Sequence, residues 1–205
     1  MNKSNQKKNF LIDLSKTSNM TVDKIINFYE SQRNIMPNNL NSGLMKKASN
    51  LLEISDNFDV FIFDSYGVLN IGNKLNPNVR SVLNKLKLKG KLIFALTNGA
   101  TYPTRQKFEN FQNWGLPFNQ DQVVSSRDSL KSEISYIKDK YWGVIGSPMS
   151  DVDELGVEGE ILNRDLTNIN ECEGIIFLGS DNWDSTIQKK LYNCLINKPL
   201  PIYIA

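Results

Sequence analysis

Histidine is missing altogether from this 205-residue chain, and cysteine occurs only twice. Without an imidazole there is no Ser-His-Asp or Cys-His nucleophile system, and no zinc site that relies on a histidine ligand. Acid–base work then falls to carboxylates, tyrosine, lysine or water. Neither Cys172 nor Cys194 sits in a metal-ligand spacing, and the two read as reduced thiols of a cytoplasmic protein. Charge of one sign is not in excess either. The formal net charge is +2, and Lys7-Lys8 and Lys46-Lys47 are short, solvated pairs, so no nucleic-acid footprint is expected. No apolar run has membrane-spanning length, and Phe10-Leu11-Ile12 is too short for a signal-peptide core. The expectation is a cytoplasmic protein with neither a nucleic-acid nor a membrane partner.

What is present is globular in character. Hydrophobic residues make up 40% and charged residues 22%, the balance of an ordinary folded domain. The length suits one generous domain, or one and a half small ones. The most informative stretch is Asp59-Val-Phe-Ile-Phe-Asp64-Ser-Tyr-Gly-Val-Leu-Asn70. Val60 to Phe63 is a continuous run of β-formers, which predicts a strand buried on both faces of a parallel sheet. It stops at a carboxylate, Asp64, and Gly67 permits the turn that follows. In open α/β sheets ligands sit just beyond the carboxyl ends of the strands. Asp64 is therefore placed either for chemistry or simply to cap a turn.

A second run, Lys91 to Leu96, ends in Thr97-Asn98-Gly99. Between the runs, Asn76 predicts an N-cap and Pro77 a first helical residue. Val79, Val82, Leu83 and Leu86 follow at helical spacing, and Gly90 stops the helix. Strand, helix, strand is a βαβ crossover with parallel strands, and it brings Asp64 and Thr97 to one edge of a sheet.

Phe63-Asp64-Ser65-Tyr66-Gly67-Val68-Leu69 and Leu96-Thr97-Asn98 resemble the first two motifs of the haloacid dehalogenase superfamily of phosphohydrolases. The Leu-Thr-Asn form and the α/β sequence downstream resemble subclass IIA, the NagD-like branch. The resemblance runs from about Asp59 to the C-terminus. It implies an α/β fold: a Rossmann-like parallel-sheet core, incomplete in this chain, with an inserted α/β cap. On that reading residues 1–50 are a helical extension, 51–125 the first half of the core, and 126–205 most of the cap. The family's third motif, a lysine, and its fourth, an acidic pair, are expected beyond Ala205.

The resemblance also implies roles. Asp64 is the nucleophile that forms an aspartyl-phosphate, and Tyr66 stands where the family usually has a second Asp, the general acid/base. Mg²⁺ is the cofactor, held by the Asp64 carboxylate and the Tyr66 backbone carbonyl. Thr97 and the Asn98 N–H hold a phosphoryl oxygen, and Gly67 lets the loop curl round it. The substrate is a small phosphorylated metabolite, and a homo-oligomer through the cap is an open option. Tyr66 is the departure, because a tyrosine ordinarily titrates near pH 10 and is a poor base near neutrality. Losing a positioned acid/base costs about 10²–10⁴ in rate. Two alternatives stay open: a non-catalytic relative that binds a phosphometabolite, and a receiver-like phosphoacceptor domain, which ordinarily needs more acids at the first strand end.

Elsewhere, Thr21 predicts the N-cap of a short amphipathic helix through Val22, Ile25, Ile26 and Tyr29, broken by Pro37-Asn38-Asn39. Leu44, Ala48, Leu51 and Leu52 predict a second. Thr104 to Trp114 and Arg127 to Lys140 read as helices. Val123 to Ser126, Tyr141 to Gly146, Gly174 to Gly179 and Pro201 to Ala205 read as strands. Asp151, Asp153 and Glu154 read as helix-capping or solvated acids. Asn182 or Asp184 caps a last helix; Asp181 and Asp184 only superficially imitate the fourth motif.

Overall fold

The computed structural model describes residues 21–36, 47–137, 139–162, 164–181 and 183–205, and the chain divides into two units, Met1–Lys47 and Ala48–Ala205. In the first unit, α1 (Val22–Ser31) starts where its cap predicts: Thr21 Oγ1 accepts the Lys24 N–H at 3.4 Å. A single 3₁₀ turn, Arg33–Ile35, follows. The predicted break at residues 37–39 lies outside the described residues, as do Leu44 and Asn182.

The second unit opens with α2 (Leu51–Ile54), a single turn and not the longer helix that the leucine spacing predicts. Asn50 is the reason: its side chain accepts the Glu53 N–H at 3.1 Å, which sets the helix start there and leaves Ala48 in coil. Next come β1 (Val60–Asp64), a hairpin of β2 (Asn70–Ile71) and β3 (Lys74–Leu75), then α3 (Val79–Leu88), β4 (Leu92–Thr97), α4 (Thr104–Asn113) and β5 (Val123–Ser125). The sheet order is β1-β4-β5, all parallel.

Among the described residues of this unit the sheet is packed on one face only, which corrects the expectation of a strand buried on both. Alternate side chains of a strand point to opposite faces. Phe61, Ile93, Ala95 and Val123 point into a cluster with Leu83 of α3 and Phe111 of α4. Val60, Ile62, Leu92 and Leu96 point the other way and are exposed. A run of β-formers cannot say whether the second face will be covered.

Helix α3 starts two residues later than predicted, with Asn78 in the left-handed region (φ 67°) as its N-cap. Asn76 is occupied elsewhere, donating through Nδ2 to the carbonyls of Gly67 (3.1 Å) and Val68 (2.9 Å). The helix ends as predicted. Gly90 (φ 73°) donates to Lys87 O at 2.9 Å and Lys91 N donates to Leu86 O at 3.0 Å, the paired bonds of a Schellman stop.

The rest of the chain builds a second parallel sheet, order β7-β6-β8-β9, from β6 (Tyr141–Ile145), β7 (Glu158–Ile161), β8 (Gly174–Phe177) and β9 (Ile202–Ile204). Here both faces are covered. Leu130 and Ile134 of α5 (Ser126–Ile134) pack with Trp142, Val144 and Ile176 on one side. Ile187 and Leu191 of α6 (Ser185–Asn197) pack with Ile145 and Ile175 on the other. α5 stops at Ile134, short of the predicted Lys140. Ser135 folds its hydroxyl back onto Ser132 O at 2.6 Å and Ile137 N closes a turn on Ile134 O at 3.0 Å, the local competition with helix that serine offers. Strand β7 has no sequence forecast, because Glu158-Gly-Glu-Ile carries little β-propensity. Asp184 caps α6 as predicted, accepting from Thr186 N and Ile187 N.

Glu154 corrects another reading. It is neither a cap nor a solvated acid, but takes Arg127 Nε at 2.8 Å and Lys131 Nζ at 2.5 Å. Arg127 is fully buried and also donates to Ala100 O (3.2 Å) and Asp151 O (2.5 Å). That guanidinium ties the end of the first sheet to the start of the second.

Candidate active site

Parallel pairing puts Asp64 opposite Leu96, so Asp64 and Thr97 leave the same edge of the sheet one residue apart in register. The Asp64 carboxylate is exposed, and its Oδ1 accepts the Ser65 N–H at 2.8 Å. The loop beyond it is tightly tied. Ser65 O accepts from the amides of Val68, Leu69 and Asn70, and Ser65 Oγ reaches Asn70 Oδ1 at 2.9 Å. Gly67 stands at φ 89°, a conformation that L side chains rarely adopt, and its N–H meets Asn70 O at 2.7 Å. Tyr66 therefore rides at the loop's outer edge, 69% exposed.

Thr97 is different in kind. Its residue exposure is 7%, and its Oγ1 accepts the Gly99 N–H at 3.1 Å. Accepting that bond leaves the hydroxyl proton to be donated outward. Asn98 is exposed; its carbonyl takes Ser126 Oγ at 3.0 Å, and its N–H has no partner among the described residues. The third strand adds a polar network. Thr104 Oγ1 contacts Ser125 Oγ at 2.7 Å and donates to Asp128, and Asp128 accepts the Ser125 N–H at 2.7 Å as half of the α5 capping box.

One neighbour escaped the sequence reading. A β-carbon on Gly99 would lie 3.0 Å from Lys107 Nζ and 3.4 Å from Thr97 Oγ1. The Lys107 ammonium, carried by α4, therefore stands beside the Thr97-Asn98-Gly99 turn. Burial, then the nearby Arg127 charge, push its pKa down, and Asp128 partly opposes them. No sequence motif announces it, since nothing in the helical pattern says which lysine will fold back over a strand end.

For Mg²⁺ the donors fall short. Among the described residues no three or more His, Cys, Asp or Glu side chains gather where they could hold a metal ion. Mg²⁺ takes near-octahedral oxygen coordination, and Asp64 with a loop carbonyl is not such a set. Asp184 offers nothing there: its carboxylate caps α6 and pairs with Arg164, which hold its pKa below the usual carboxylate range, the backbone N–H of Ile187 most of all.

Residues 61–158 match the family model of haloacid dehalogenase-like hydrolases. Phosphoglycolate phosphatase 1A of Arabidopsis thaliana is 32% identical over 116 residues, which is 55% of this chain and 31% of that protein. A 4-nitrophenylphosphatase of Schizosaccharomyces pombe is 29% identical over 113 residues, 53% of this chain and 36% of that protein. The chain thus spans about a third of the length of the curated relatives it matches. In fold it is similar to a haloacid dehalogenase-like hydrolase of Brucella suis, with a TM-score of 0.63 at 23% identity over 77% of this chain and 57% of that one. Described helices include none long and apolar enough to cross a membrane. Over residues 61–158 the chain is similar in sequence to the haloacid dehalogenase-like hydrolases, and its α/β fold of parallel sheets is similar to that of a solved structure of that family.

Proposed function

We propose that the chain serves phosphoryl-ester hydrolysis on a small phosphorylated metabolite, with Asp64 as nucleophile. The observation that carries this is the juxtaposition of an exposed carboxylate and a buried threonine hydroxyl at adjacent parallel strand ends. In the reaction an Asp64 oxygen attacks phosphorus and the bond to the ester oxygen breaks. The leaving alkoxide takes a proton from water or from Tyr66. Water then attacks the aspartyl-phosphate, releasing orthophosphate and restoring the carboxylate.

The other residues divide the work. The Thr97 hydroxyl and the Asn98 N–H donate to a phosphoryl oxygen as charge builds on it. Gly67, at positive φ, keeps the loop curled so that this oxygen has room. On this reading residues 51–125 are a core half and 126–205 an α/β cap of the subclass IIA kind; the division of the parallel strands into two sheets, β1-β4-β5 and β7-β6-β8-β9, supports it. The resemblance implies Mg²⁺ with Asp64 and the Tyr66 carbonyl as ligands. The described residues offer too few further donors to complete that ion's shell.

One observation favours a second reading, a non-catalytic binder of a phosphometabolite. Tyr66 stands where an acid would, and among the described residues no three or more His, Cys, Asp or Glu side chains gather where they could hold a metal ion. A single experiment separates the two: p-nitrophenyl phosphate hydrolysis with and without Mg²⁺ by the parent and by Asp64→Asn. Hydrolysis that falls by at least about 10³ in the variant supports the nucleophile. Equal rates would sink it.

A further inference from the structure

Lys107 is a half-buried cation with no ion pair and no hydrogen bond among the described residues. Taking an ammonium out of water without a partner is costly. Its charged neighbours are already committed. Arg127 is engaged by Glu154, Ala100 O and Asp151 O. Asp128 is engaged by Thr104 and Ser125. Burial and the Arg127 charge lower the Lys107 pKa, and Asp128 raises it without pairing. A cation so placed is stabilised most by an anion that is not part of the chain.

Its position says which anion. Nζ and Thr97 Oγ1 flank the same face of Gly99, at 3.0 and 3.4 Å from where a β-carbon would stand. The unpartnered Asn98 N–H is on the same turn. Three donors, one of them charged, thus converge on a point at the carboxyl end of β4. We infer that Lys107 is the cation of the phosphoryl-binding site, its ammonium taking an oxygen of the group that Thr97 and Asn98 hold. This rests on the reading of Asp64 and Thr97 as a phosphoester site, and it adds to that site a binding residue supplied by α4. It also accounts for Gly99: any side chain there would occupy the ground of the ammonium.

The test is calorimetric titration of the 205-residue chain with orthophosphate at fixed ionic strength. Lys107→Met keeps most of the stem and removes the charge. It should weaken phosphate binding about tenfold to a hundredfold, the range of a lost charge-assisted hydrogen bond, without lowering the melting temperature. Lys107→Arg should bind within a few-fold of the parent. Gly99→Ala should weaken binding by pushing the ammonium aside. A merely structural lysine would lower stability and leave the affinity alone. Parent-like affinity in Lys107→Met overturns the inference, as does a parent chain that binds no orthophosphate. So does a Lys107-dependent affinity indifferent to Thr97→Val, which would put the anion elsewhere. The nucleophile reading fails separately: it is judged by turnover in Asp64→Asn, whose phosphate affinity should equal or exceed the parent's because a like charge is gone.

Discussion

Replacing Arg127 by methionine should cost the second unit about 3 kcal/mol. The side chain is fully buried and makes three connections: Glu154 at 2.8 Å, Ala100 O at 3.2 Å and Asp151 O at 2.5 Å. Methionine fills much of the volume but donates nothing. Each carbonyl left without a partner costs about 1–1.5 kcal/mol. Glu154 fares better, since Lys131 still reaches its other oxygen at 2.5 Å and its side chain is 30% exposed, so its share is at most about 1 kcal/mol. At a urea slope of about 2 kcal/mol per M the midpoint should fall by about 1.5 M. Lys131→Met is the control. It breaks the partly exposed arm of the same glutamate and should cost no more than about 1 kcal/mol. Equal losses in the two variants, or an unchanged midpoint in Arg127→Met, would refute the assignment of the guanidinium as the tie between the two sheets. The Lys107 pKa supplies a second readout: it should rise in Arg127→Met, because one of the charges that lowers it is gone.

Gly174→Ala would drive a β-carbon to 2.4 Å from Trp142 Cζ3 in a fully buried setting, and the overpacking should cost about 1–3 kcal/mol in thermal or urea unfolding; a neutral change would mean that the tryptophan ring can move. Tyr66→Asp should speed hydrolysis of an alkyl phosphate more than that of p-nitrophenyl phosphate, because an alkoxide needs a proton on leaving and nitrophenolate hardly does. A variant slower on both esters would give Tyr66 a binding role of its own. Ile62→Lys sits on the bare face of β1 beside Val60, Leu92 and Leu96. It should reduce concentration-dependent association in sedimentation velocity while shifting stability by no more than about 0.5 kcal/mol.

How much was legible beforehand follows from the range of each signal. Strand runs, amphipathic spacing and caps act within a few residues, so they are written locally. Val60–Asp64 and Leu92–Thr97 are strands ending in Asp64 and Thr97, Thr21 and Asp184 cap their helices, and Gly90 stops α3. The parallel pairing that sets Asp64 and Thr97 on one edge followed from the helix between them. Asn76 misled, and Asn50 went unread, because an asparagine amide serves a loop carbonyl or a helix N–H equally well, and competition in the folded chain chooses. Which face of β1 is covered depends on where α3 and α4 pack, not on the β1 residues. The charges were least legible of all. Arg127 meets Glu154 across 27 positions, and Lys107 comes to rest on Gly99 from the neighbouring helix. Sequence by itself determined the periodic elements and the residues at their ends, because backbone geometry repeats locally. Only the tertiary structure decided which buried charges find partners and which one is left facing the site, because that depends on how packed elements share a small volume of low polarity.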